Sequence, residues 1–297
     1  MAIRKRKART KKMKIRKWFE KQLHAKYVTG HGMAKHAIKD EHNSTPYIHS
    51  DKTYKTYKAQ CGRFADWLVE EKGVNDKEKA WELVPEYLRY LEEKGRSAWT
   101  ITNAMCAIAK AYGVSTKEID YKAPKRERTN VRRSREAAVR DVHFSEENNK
   151  KLVTLAKCCG LRRHEMKALL GCDLAKDKDG NWIIRVKKGK GGKFRNVILH
   201  GSKEELECVI KMMQNAGKEL VFPEGVHSAC DVHHYRSIYA CRAYLSKARN
   251  PIPKEDRYIC RKEKKGTVYD KKAMLYASQQ LGHNRIDVIA SAYLYNL

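Results

Sequence analysis

No stretch of the 297-residue sequence approaches the ~18 consecutive apolar residues of a membrane span, and the basic N-terminus lacks the apolar core of a secretory signal. A soluble, cytoplasmic protein with no membrane partner is therefore expected. The nine cysteines (61, 106, 158, 159, 172, 208, 230, 241, 260) are odd in number, contain no CxxC pair and fall at apolar positions. That argues against a disulfide frame or a zinc ribbon and for reduced thiols. Cys230, His233 and His234 lack a matching second pair of ligands, so no metal site is expected. A phosphate-binding P-loop is missing as well: Lys193 is followed by Phe194 where Ser or Thr is required, and a strand-like run follows instead of a helix. No cofactor is called for.

Positive charge is what the chain has in excess. Sixty-four Lys and Arg stand against 35 Asp and Glu, a formal net charge of +29. Such an excess repels itself in the compact state and is offset by a polyanionic partner, which makes nucleic acid the default. From Met1 to Lys17 ten of the 17 residues are Lys or Arg, and the first acid is Glu20. This block is expected to stay unfolded alone and to lie along phosphates; a nuclear-localisation run is the alternative. Residues 18 to 44 offer a short helix around Trp18, Phe19 and Leu23, broken by Gly30 and Gly32, so residues 1–44 read as a basic arm and tether.

The pattern then becomes helical. Tyr54, Tyr57, Cys61, Phe64 and Leu68 recur on one face behind Ser50 or Asp51 as N-cap. A helix starting near Pro85 carries Leu88 and Leu91 inward and stops at Gly95; another, capped by Ser97, buries Ile101, Met105, Ile108 and Tyr112 ahead of Gly113. Residues 45–121 thus form a helical module. Residues 122–142, with Pro124, many cations and no apolar period, read as a linker. In the second half, residues 143–297, Ser145 is expected to cap a helix with Leu152, Leu155 and Cys159 that Gly160 ends. Runs 182–188 and 193–199 make a β-hairpin whose glycine-rich tip carries Lys190, a helix is expected near 203–216, residues 249–269 read as a basic loop, and Asp270 caps a helix leading to Gly282.

Several polar residues have spacings that matter. Arg162 and Glu165 stand at i, i+3, close enough for the carboxylate to hold the guanidinium. His233 and Arg236 share a helix face at the same spacing. Gly282 reads as a left-handed cap, which places His283 at a fixed corner. Beyond it Ile286, Ile289 and Tyr293 line one face, with Tyr295 about 200° away. A tyrosine on a buried face beside a cornered histidine is either core or chemistry.

The stretches CCGLRRHEM (158–166), VKKGKGGKFRNVIL (186–199), HHYRSIYA (233–240) and LGHNRIDVIASAYLYNL (281–297) together resemble the tyrosine recombinase (phage integrase) family. The family's pattern is an Arg in GLRxxE, a Lys in a GKG hairpin, HxxR, LGH and a terminal Tyr. Two departures stand out: Cys159 replaces the usual Thr, and only Leu294–Leu297 follow Tyr293, where family members often carry a longer tail that docks on a neighbour. The resemblance implies a mainly α, two-domain DNA clamp. Its N-terminal domain would be a SAM-like core-binding module, although a generic helical bundle fits those residues equally well; its C-terminal domain would be mixed α/β, mostly helical with a small antiparallel sheet.

The chemistry open to these residues is strand cleavage and rejoining. Arg162 and Arg236 can fork onto the non-bridging oxygens of a phosphodiester without a metal. Tyr293 would attack phosphorus, and because a phenol loses its proton only near pH ~10, it needs a base, for which His233 is the candidate. His283 would bind the phosphate or orient the nucleophile, and Lys190 would protonate the leaving 5′ oxygen. The resemblance further implies double-stranded DNA as partner, a tetramer on two sites working through a Holliday junction, and accessory DNA-bending proteins. A type IB topoisomerase and a catalytically inert DNA-binding protein are the competing readings.

Overall fold

A computed structural model describes residues 2–33, 38, 40, 44–127, 144–189, 192–261, 264–295 and 297, with side chains from residue 14 onward. The chain divides into two compact units, Met1–Arg128 and Thr129–Leu297, each with its own apolar core.

The first unit contains α1 (Ala2–Gly30), α2 (Asp51–Glu70), α3 (Lys77–Glu82), α4 (Val84–Glu93) and α5 (Ala98–Tyr112). Ser50 and Ser97 cap α2 and α5 by accepting the N–H of Thr53 and Thr100, and Gly113 ends α5 in the left-handed region at φ 81°. Cys61, Phe64, Leu68, Leu88, Ile101 and Ile108 are buried, and Met105 and Tyr112 pack at the edge of this core. Within the tether expected over residues 18–44, the stretch to Gly30 is instead the end of α1, which runs unbroken from Ala2 and stops at the expected glycine. Ile15, Phe19 and Leu23, at i, i+4 and i+8, form a narrow apolar ridge that is fully buried against α2 and α5. Burying such side chains contributes about 1.5–3 kcal/mol each, enough to fix a helix whose other faces are cationic. Arg16 pairs with Asp66 at 2.9 Å and Lys58 with Glu20 at 3.3 Å, so α1 and α2 also match in charge. At the end of α1 a Cβ on Gly30 would fall 2.5 Å from that of Tyr47, which is why the returning chain can approach only a glycine.

The second unit contains α6 (Lys150–Cys159), α7 (Arg163–Lys167), β1 (Leu174–Lys176), β2 (Trp182–Val186), β3 (Arg195–Ile198), α8 (Lys203–Ala216), α9 (Val232–Leu245), β4 (Arg257–Ile259), β5 (Val268–Asp270), α10 (Lys271–Gln280) and α11 (Ile286–Ala292). The β2–β3 hairpin is the one expected; β1 adds a third antiparallel strand, with Ile184 opposite both Leu174 and Val197. Two further expectations change. Ser145 caps a turn that precedes α6, whose helical residues begin at Lys150, and the loop expected at 249–269 contains the β4–β5 hairpin. Residues 128–142 of the expected linker and Lys190 at the hairpin tip lie outside the described residues.

The core of this unit is helix against helix, with α9 packed between α6 and α10. Tyr239 on α9 is fully buried against Gly160, where a Cβ would lie 2.4 Å from its ring. Gly160 combines that close approach with φ 53°, so the chain turns sharply out of α6 toward Arg162. The described residues are mainly helical with small antiparallel sheets, in line with the fold class that the resemblance implies. No helix among the described residues is long and apolar enough to cross a membrane.

Candidate active site

Arg162 is the N-cap of α7, and its partner sits one turn in. Glu165 accepts the Arg162 backbone N–H at 2.7 Å and the Arg162 Nη1 at 3.0 Å, so one carboxylate fixes both the helix start and the side chain. The Glu165 side chain is only 1% exposed. Burial alone would raise its pKa, yet the hydrogen bonds from Arg195 and the Arg162 amide outweigh that and hold the carboxyl down to about 2. Arg195, on β3, forks onto the same two oxygens at 2.8 Å each. Sequence reasoning missed it; the available signal was its place on the strand that leaves the GKG hairpin.

Arg236 comes from α9. Asp231 caps that helix by accepting the N–H of His233 and His234. Just upstream, the Arg163 guanidinium donates to the carbonyls of Val226, His227, Ser228 and Cys230, pinning the loop that leads into α9. Arg236 is 3% exposed. It donates through Nη1 to the Gly160 carbonyl and through Nη2 to that of Leu281 at 3.2 Å, so it joins the ends of α6 and α10. Burial pushes its pKa down, Tyr293 raises it again, and neighbouring Arg162 adds to the lowering. Arg162 thus acts on Arg236 electrostatically.

The turn after α10 closes as anticipated. Gly282 has φ 71°; its N–H bonds the Gln279 carbonyl, and the His283 N–H bonds that of Ser278, both at 2.8 Å. This paired closure locks His283 one residue beyond the helix. α11 then runs only to Ala292, with Tyr293 as the residue that ends it instead of one within it. Ile289 and Tyr293 are buried on the same side, Leu294 is buried, and Lys264 Nζ and Tyr269 Oη both hold the Leu294 carbonyl. The nucleophile candidate therefore sits on a fixed backbone.

The structure brings four of the six expected site residues together at Tyr293. Its hydroxyl lies 3.4 Å from His283 Nε2 and 3.5 Å from Arg236 Nη2. Its ring stacks on His233 at 4.9 Å between centroids and 16° between planes, with Arg236 5.7 Å from the ring. Sequence reasoning gave His233 the role of proton acceptor. In the structure His233 lies flat against the phenol ring, and His283 Nε2 lies within reach of the hydroxyl. Arg162, held by Glu165, acts on the group electrostatically through Arg236. Lys190 lies outside the described residues; of its described neighbours, Gly189 donates its N–H to the Lys193 carbonyl and Gly192 its N–H to that of Gly189, both at 2.9 Å. Among the described residues no group of three or more His, Cys, Asp or Glu is arranged to hold a metal ion; Cys230 is buried in the core.

No protein-family model matches the chain, and no curated protein matches it. Solved structures do. The fold is similar to that of the XerH site-specific recombinase bound to its difH substrate in a pre-cleavage complex, with a TM-score of 0.55 at 14% identity over 95% of this chain and 93% of that one. A post-cleavage complex of XerH with palindromic difH gives 0.55 at 15% identity, over 94% and 91%. At this identity the likeness is one of fold, and it spans nearly the whole of both chains: this protein is folded as those recombinases are, with Arg236, His233, His283 and Tyr293 meeting in its second unit.

Proposed function

We propose that this chain is a site-specific DNA recombinase that cuts and rejoins strands through a covalent link between Tyr293 and the 3′ phosphate of the cleaved strand. One observation carries the reading: the Tyr293 hydroxyl meets a buried guanidinium from α9 and a histidine locked at the end of α10, residues from separate sequence motifs. A phosphate oxygen held by Arg236 would lie in contact with that hydroxyl, which is the placement an attack on phosphorus needs. The contacts are long for hydrogen bonds, as catalytic contacts often are before substrate tightens them.

In the reaction, a bond forms from Tyr293 Oη to phosphorus as the bond to the 5′ oxygen breaks. The phenolic proton passes to an imidazole, and on geometry His283 takes that role while His233 fixes the ring and turns its exposed edge to the phosphate. Arg162 and Arg236 neutralise charge building on the non-bridging oxygens, work for which other phosphoryl-transfer enzymes use a metal; losing one such donor typically costs about a hundredfold or more. Lys190 gives the departing 5′ oxygen its proton. Because the ester stores the bond energy, a 5′-hydroxyl from a partner strand can reverse the step and expel the phenol without ATP.

The helical residues 45–121 are assigned a core-binding role on duplex DNA, residues 122–142 that of a basic linker, and residues 143–297 that of the catalytic domain. Four copies on two sites, helped by DNA-bending proteins, would exchange strands in the cytoplasm. The test uses a nicked duplex that traps covalent intermediates. Wild type is expected to form an adduct, and Tyr293→Phe to bind the same DNA and form none; an adduct surviving in the variant overturns the assignment. Lys190→Ala is expected to recover when the leaving oxygen is replaced by sulfur, and an unchanged defect removes Lys190 from the acid role.

A further inference from the structure

Glu165 presents a contradiction if Arg162 is its sole partner. A carboxylate that grips a guanidinium orients it, but it also cancels the positive charge that a phosphate is meant to meet. Arg195 resolves this. Its Nη1 and Nη2 bond Glu165 Oε1 and Oε2 at 2.8 Å, a bidentate fork, whereas the Arg162 side chain makes a single contact at 3.0 Å. The three side chains are only 11%, 16% and 1% exposed, in the order Arg195, Arg162 and Glu165, so water does little to screen their charges. Together they carry one net positive charge.

Arg195 also touches the other parts of the site. Its Nε donates to the Gln280 carbonyl at 3.2 Å, and its Cδ would lie 3.2 Å from a Cβ on Gly282, directly under the turn that presents His283. At the base of the hairpin a Cβ on Gly189 would fall 2.7 Å from the Lys193 carbonyl oxygen, 2.9 Å from Arg195 Nη1 and 3.4 Å from Glu165 Oε1. A glycine there lets the hairpin close and the fork pass beside it, which gives the first glycine of the GKG sequence a physical reason.

We infer that Arg195 is a positioning residue that takes up the charge of Glu165, so that Glu165 can orient Arg162 without neutralising it, and that the same side chain ties the hairpin to the His283 turn. The inference rests on the recombinase reading. It acts through Arg162 at the phosphate and needs no contact between Arg195 and DNA.

The test is charge restoration. Adduct formation is timed in single turnover on the duplex that wild type captures from a pool of nicked, randomised DNA. Arg195→Gln brings the trio to zero net charge and is expected to slow adduct formation about a hundredfold, the order of losing one charged donor. Adding Glu165→Gln returns the net charge to plus one, and the double variant is expected to recover to within about tenfold of wild type, as for a restored donor. On the same duplex with an uncharged methylphosphonate at the scissile position, the Arg195→Gln defect is expected to shrink. If Arg195→Gln does not fold, Arg195→Lys, which keeps the charge and loses the fork, is expected to stay within about tenfold of wild type, and Arg195→Met combined with Glu165→Gln, which also leaves one net positive charge, to match it; a defect of about a hundredfold in either folded protein overturns the inference. A double variant no faster than Arg195→Gln, or an Arg195→Gln protein as fast as wild type, overturns the inference and leaves the recombinase reading standing. A wild type that captures no DNA overturns both.

Discussion

A carboxylate that accepts four N–H bonds while almost wholly buried, as Glu165 does, stays ionised far into acid. Its folded pKa of about 2 lies below the ordinary value near 4.5, so its contribution to stability is present above that ordinary value and is lost as pH falls toward 2. The size is on the order of 3 kcal/mol. Trp182 is the one tryptophan of the second unit and reports its unfolding. Urea titrations followed through that residue are expected to show stability falling between pH ~4.5 and 2, with a shallower fall in Glu165→Gln. Equal slopes in the two proteins would mean that the carboxylate is not held by its guanidinium partners. The pairing of Arg162 with Glu165 could be read from their i, i+3 spacing. Arg195 could not, because it lies 30 positions from Glu165 and 85 from Gln280 and only the folded chain joins them.

At the level of elements, the site depends on how helices end. The turn at Gly282 holds His283, and alanine there would have to adopt φ 71° and place its Cβ against Arg195 Cδ at 3.2 Å. Gly282→Ala is expected to cost about 1 kcal/mol of stability or somewhat more, measured by thermal unfolding, and to slow adduct formation by a larger factor because His283 shifts with the turn. A loss confined to stability would separate the turn from the chemistry. Such ends were the most legible part of the sequence: Ser50, Ser97 and Asp270 at helix starts and Gly113, Gly160 and Gly282 at helix stops are local signals with local causes. Less legible were elements whose reason lies elsewhere in the fold. The Ile15, Phe19 and Leu23 ridge is narrow and set among cations, and it becomes a core face only because α2 and α5 lie beneath it. β1 is three residues long and is defined by its pairing with β2. That His233 stacks on the Tyr293 ring while His283 Nε2 lies within reach of its hydroxyl turns on ring orientation, which spacing does not encode.

For the whole molecule the dominant quantity is a net charge of +29. If DNA is the partner, binding releases counterions, and affinity is expected to fall by roughly a thousandfold or more between 50 and 200 mM salt, as for a protein with six or more phosphate contacts. A flat response in a filter-binding or anisotropy titration would contradict DNA as the reason for the charge. A supercoiled plasmid without a recombination site offers a second check at this scale: the recombinase reading expects it to stay supercoiled, and steady relaxation would favour a topoisomerase. The central claim is tested most directly by digesting the covalent protein–DNA complex and sequencing the peptide that carries nucleotide by mass spectrometry. The account predicts a single modified peptide with a 3′-phosphoryl nucleotide on Tyr293. Nucleotide on Tyr295 or another residue, or a linkage through a 5′ phosphate, would contradict it.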